Sequence, residues 1–127
     1  MKHIFIIISI LVFCTAESKE YTEYDKKSVL FYIQSISSPR IFKVCNKLYP
    51  ELSDAFEIGL KKWNETNERL VEYGKKLSKE DVGLKGIEFE NHMKKLINSM
   101  FKELKKQSEQ DLKEGCGEAL VYLITES

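Results

Sequence analysis

The sequence predicts an all-α fold, a small bundle of four to five helices with one disulfide. Three observations carry that expectation. Apolar residues recur at spacings of three and four along most of the chain, the period of an amphipathic helix. Pro39, Pro50 and the glycines at 83 and 86 divide the periodic stretches. Two cysteines, Cys45 and Cys116, remain once an N-terminal leader is set aside.

The leader is read first, because it decides the compartment. Met1, Lys2 and His3 are followed by an apolar run over residues 4–13, interrupted only by Ser9. Cys14 and Ala16 then place small residues three and one before a cut after Ala16. A basic start, a short apolar core and a small-residue exit describe a secretory signal peptide over residues 1–16. The run is too short to span a bilayer, which takes about 20 apolar residues. A lipid anchor on Cys14 wants a small residue before it, and Phe13 is bulky. Cleavage removes 16 of the 127 residues and leaves 19 basic against 20 acidic side chains, a net charge of −1. That even balance gives no electrostatic case for nucleic acid or for an anionic membrane surface. The expected location is secreted or periplasmic.

Residues 17–24 read as a flexible lead-in and residues 25–127 as the helical domain. Val29, Tyr32, Ile33 and Ile36 mark a first helix that Asp25 caps and that Ser37-Ser38-Pro39 ends, since a residue before proline is pushed out of the α region. Ile41, Val44, Cys45 and Leu48 mark a short second helix. Pro50 opens a third, where its missing N–H costs nothing.

That third helix carries a long stripe: Leu52, Phe56, Gly59, Trp63, Asn67, Leu70, Gly74 and Leu77. Trp63, the single tryptophan, therefore reads as a core anchor. Gly59 and Gly74 each cost about 1 kcal/mol of helix propensity, which close approach of another helix would offset. Asn67 on the buried face needs hydrogen-bond partners and is a candidate for fixing helix register. Asn64-Glu65-Thr66 is a formal glycosylation sequon, but it falls mid-helix, whereas the usual acceptor is a surface loop.

Residues 78–86 form the break, with Ser78 and Asp81 as a weak capping turn. A long helix is expected over residues 87–114, bending or fraying near Gln107 and Ser108. Gly115 suits its C-cap. Residues 118–125 then read as a short helix or a strand, with helix the preferred assignment. Cys45 and Cys116 are either one disulfide or two buried free thiols, and export favours the disulfide. Its loop spans a separation of 71 residues, worth roughly 4 kcal/mol by chain entropy.

The chemistry-bearing sets are sparse. Beyond the leader the chain has one histidine, His92, with no His or Cys at ligand spacing, so neither a zinc site nor a Ser–His–Asp triad can be assembled by motif. His92 and Met100 lie eight apart on one helix and cannot ligate opposite faces of a haem. The glycines around Cys116 lack the P-loop Gly-Lys-Ser/Thr. Glu65 with Glu68, or Glu88 with Glu90, could be imagined as a glycosidase pair, but Glu57 with Lys61 and Glu65 with Arg69 read as ordinary i,i+4 surface pairs. No catalytic residue, metal or cofactor is expected. Phe31, Tyr49 and Tyr73 fall outside the main stripes and are the candidate partner-binding aromatics.

Across residues 45–74, the arrangement of Cys45, Pro50, Phe56, Trp63 and Asn67 resembles a loose group of small exported bacterial helical proteins. The resemblance implies bacterial origin, a periplasmic or extracellular destination and an all-helical fold. That group has no assigned activity and brings no catalytic residues. The expected function is a non-enzymatic protein-binding module of inhibitor or immunity type; the alternative is a small apolar-ligand carrier in the cell envelope.

Overall fold

The computed structural model describes residues 20–125. The expected signal peptide lies outside the described residues, as does the start of the lead-in. Among the described residues four helices follow one another: α1 (Glu23–Leu48), α2 (Ser53–Val82), α3 (Gly86–Leu104) and α4 (Glu109–Thr125), with a 3-10 turn at Pro50–Leu52 between the first two. There is no strand among the described residues. Residues 118–125 are helical, as expected, and Cys45 is bonded to Cys116 with Cα atoms 5.5 Å apart.

α1 begins with a reciprocal capping box. Thr22 Oγ1 accepts from the Asp25 N–H, and the Asp25 carboxylate accepts from the Thr22 N–H. The cap is therefore Thr22, with Asp25 as its partner three residues on, rather than Asp25 itself. The expected stop at Pro39 does not occur, and the two helices foreseen on either side of it are one. Proline removes one backbone donor and crowds the carbonyl four residues earlier. Here Pro39 lies on the exposed side, where water can serve the freed carbonyl of Ser35. Packing holds both flanks: Ser37 is fully buried on one side, Phe42 and Cys45 on the other.

Four consecutive residues of α1, Phe31 to Gln34, are all buried, which spans about 300° of the helix circumference. α1 is thus the central helix. Its widest interface is with α2, and the two backbones meet at Gly74. A Cβ there would stand 1.9 Å from the Ser28 carbonyl oxygen, so no other residue fits without moving backbone. Gly59 is different: its nearest neighbour is the Leu123 side chain at 3.3 Å, which can yield.

Gly83 ends α2 in the left-handed conformation, φ 67°, with its N–H on the Lys79 carbonyl. Ser78 caps nothing; it lies inside α2 and donates to the Gly74 carbonyl. The single helix foreseen over residues 87–114 is two. Ser108 accepts the Asp111 N–H on Oγ and the Leu112 N–H on its carbonyl, so it starts α4, with Glu109 and Asp111 suited to the first turn. α4 then runs through Gly115 and Gly117 rather than stopping at Gly115. Burial of Gly115 and Cys116 and the bond to α1 offset the glycines' weak helix propensity.

The buried residues fall into two clusters. One, around the disulfide, joins α1, α2 and α4 through Phe31, Phe42, Phe56, Trp63, Ala119 and Leu123. The other joins α1 and α3 through Tyr32, Ile33, Phe89, Met93, Ile97 and Phe101, with Val71 and Val82 of α2 packed against it. The α3 backbone approaches α1 and α2 far less than those two approach each other, and α3 packs mainly through side chains.

Candidate functional site

The residues singled out by sequence are not gathered in one place. Trp63 is 1% exposed and its ring lies 5.3 Å from that of Phe31. Phe31 is thereby core, and its expected role as a partner-binding aromatic is corrected. The physical reason is that α1 is buried on nearly all sides, so a residue off the main apolar stripe still lands in a core. Tyr49 is half-buried against the disulfide cluster at the C-terminal end of α1. Tyr73 is at the other end: its ring meets Tyr24, and its hydroxyl donates to Asp25 at 2.7 Å. A helix the length of α1 separates those two tyrosines by roughly 40 Å, so Phe31, Tyr49 and Tyr73 form no common surface.

The Tyr73 hydrogen bond, joined by the Thr22 N–H, holds the Asp25 carboxyl below the usual range. The same bond raises Tyr73. Burial and a bond to Asp81 push Tyr21 up to about 12. These contacts pin the lead-in and the start of α1 to α2.

Asn67 is buried and donates to the Trp63 carbonyl of its own helix at 2.9 Å. The cross-helix amide-like contact is elsewhere, where Tyr122 on α4 donates to the buried Gln34 on α1. The Trp63 indole N–H and the Asn46 side-chain oxygen have no hydrogen-bond partner among the described residues. The pairs Glu57–Lys61 and Glu65–Arg69 do not form; the ion pairs among the described residues are Lys26–Glu23, Lys106–Glu103 and Lys113–Glu109. Exposed long side chains gain little from pairing in water. No group of three or more His, Cys, Asp or Glu stands ready for a metal among the described residues.

The feature with the geometry of a site is a half-open groove of about 670 Å³ where α3 stands off from α1 and α2. Its volume is in the range of small-molecule pockets, about 300–1,000 Å³. The floor is apolar: Tyr32 and Ile36 from α1, Phe89, Met93 and Ile97 from α3. Tyr32 and Phe89 are stacked, centroids 6.2 Å apart. The rim is cationic, with Arg40 from α1, Lys75 and Lys79 from α2 and Lys94 from α3 facing a single acid, Glu90.

Local structure places each of these groups. The left-handed glycines at 83 and 86 turn the chain so that α3 returns along α1. Arg40 bridges the groove's end, donating to Asn98 Oδ1 at 2.8 Å and lying 4.2 Å from the Phe101 ring centroid. Lys79 lies over the Phe89 ring at 5.4 Å. None of the four cations is ion-paired among the described residues. Tyr32 is 6% exposed, and its hydroxyl has no hydrogen-bond partner among the described residues. Burial, with Glu90 nearby, raises its pKa. A second depression, about 460 Å³, is walled among the described residues by α2 alone and carries Glu65, Glu68 and Glu72. Glu65, Glu68 and Glu72 precede Lys75 and Lys79 along the same side of α2, so that side runs from acidic to basic toward the groove.

Sequence reasoning named Tyr32, Ile36, Phe89, Met93 and Ile97 as core and missed that they line an opening. The signal available was the width of the α3 stripe, which includes both Leu96 and Ile97 and both Met100 and Phe101. No family model matches the chain, and neither a curated protein nor a solved structure matches it.

Proposed function

We propose that this is an exported, non-enzymatic carrier that holds a small apolar or amphiphilic ligand in the groove between α1, α2 and α3. The observation that carries the reading is the groove itself, with an apolar floor contributed by two helices and a volume suited to a small molecule. The export signal read over residues 1–16 and the Cys45–Cys116 bond support a periplasmic or extracellular setting. No described helix is long and apolar enough to cross a membrane.

The carrier takes precedence over the inhibitor-type module expected from sequence because the partner-binding aromatics are dispersed or buried. The large apolar side chains most exposed to solvent are likewise spread over all four helices: Tyr24, Ile58, Ile87, Val121 and Ile124. Titration of the chain beginning at Glu17 with the neutral probe N-phenyl-1-naphthylamine tests the reading. Saturable fluorescence enhancement at one probe per chain is expected, lost when Ile36→Trp fills the groove. No enhancement, or equal enhancement in I36W, contradicts it.

A further inference from the structure

Resting on the carrier reading, the structure assigns the groove to a single-chain amphiphile with an anionic head. The chain lies on the apolar floor, and the head sits at the rim. Two independent observations point there. The first is charge. Arg40, Lys75, Lys79 and Lys94 converge from three helices on an opening that holds one carboxylate, Glu90, although basic and acidic residues are equal over the whole chain. An excess of three positive charges over an apolar floor would repel a cationic amphiphile. It favours an anionic head over a neutral one, since hydrogen bonds to a charged acceptor are the stronger.

The second is a hydroxyl on the groove wall. Tyr32 is nine-tenths buried, lines the groove, and its hydroxyl finds no protein partner among the described residues. Unlike the Trp63 indole N–H, this hydroxyl is not sealed from solvent, so an acceptor lying in the groove can reach it. A carboxylate or sulfate head supplies a charged acceptor for it, the strong form of the bond. Arg40 and Lys79 are already placed by Asn98 and by the rings of Phe101 and Phe89. Lys75 and Lys94 make no hydrogen bond or ion pair among the described residues, leaving them to meet the head.

The test uses the chain from Glu17, oxidised, with 11-(dansylamino)undecanoic acid and its methyl ester as a matched pair. The acid is expected to bind at least ten-fold more tightly than the ester at low salt, with the gap closing at 1 M salt as screening takes over. The double variant Lys75→Gln with Lys94→Gln brings the acid down to the ester's affinity. Tyr32→Phe weakens the acid about ten-fold, the loss of one hydrogen bond to a charged group, and leaves the ester unchanged. Equal binding of acid and ester overturns this inference while the carrier reading stands. Binding of neither overturns both. A dimer in sedimentation that excludes the probe, or displacement by an acidic amphipathic peptide but not by dodecanoate, overturns the inference in favour of a protein occupant.

Discussion

α1 carries both cores of this protein, and they close differently. On the face of Phe31, Phe42 and Cys45, it meets α2 and α4 around Trp63 and Phe56, and the disulfide fastens the seam. On the face of Tyr32 and Ile33, it meets α3 around Phe89, Met93 and Ile97, and the apolar surface continues into an open groove. The contrast has a covalent and a geometric cause. Cys116 ties α4 to α1, whereas α3 is joined to its neighbours through short turns and mainly side-chain packing. One face of the central helix is sealed into the fold, and the other opens into the groove.

Four substitution experiments break or sharpen that comparison. The largest effects belong to the closed side. Trp63→Ala should cost about 4 kcal/mol, and Cys45→Ala with Cys116→Ala a similar amount. Met93→Ala on the groove floor should cost nearer 2 kcal/mol, because its site already opens to solvent. Urea unfolding measures all three, and equal costs for Trp63 and Met93 would erase the distinction.

Next come the two glycines of α2. Gly74→Ala forces a methyl into the Ser28 backbone and should cost about 3 kcal/mol. Gly59→Ala meets only the Leu123 side chain, and the gain in helix propensity leaves it within about 1 kcal/mol of the parent. Thermal melts of both variants decide this, and a Gly59 loss as large as that at Gly74 would refute it.

Smaller still is the groove rim. Lys75→Gln with Lys94→Gln should leave stability within about 0.5 kcal/mol, since both side chains are exposed. A marked loss of stability would make the rim structural.

The last concerns the clasp at the start of α1. Asp25 is lowered in the folded protein, so its contribution is complete above the ordinary carboxylate range and is lost as pH falls through its folded value. Tyr73 is raised, so its contribution is complete below its ordinary value of 10.0 and is lost as pH rises through the folded one. Tyr73→Phe should return the Asp25 carboxyl upward in an NMR titration. An unchanged Asp25 would mean that Thr22 alone holds it down.

Much of this fold was legible in residue spacing. Phe56, Trp63, Asn67, Gly74 and Leu77 of the α2 stripe are buried as read, Gly59 and Leu70 half-buried, and Cys45 and Cys116 are bonded. The misreadings share a cause, which is local signals outweighed by packing. Pro39 did not stop α1 because it faces water while its flanks are buried. Gly115 and Gly117 did not stop α4 because the disulfide lies between them. The break before α4 was written in Ser108 and the acids after it, but was read as a bend. The groove was not legible. Its floor and rim come from three helices, and a lysine on the lip of an opening has the same sequence pattern as one on a solvated face.

The most direct test of the two-sided account is an amide NMR titration with monomeric dodecanoate. The account predicts shifts confined to groove residues such as Tyr32, Ile36, Phe89 and Met93, with Phe56, Trp63 and Cys116 unmoved. Shifts centred on the disulfide core, or none at saturating ligand, would contradict it.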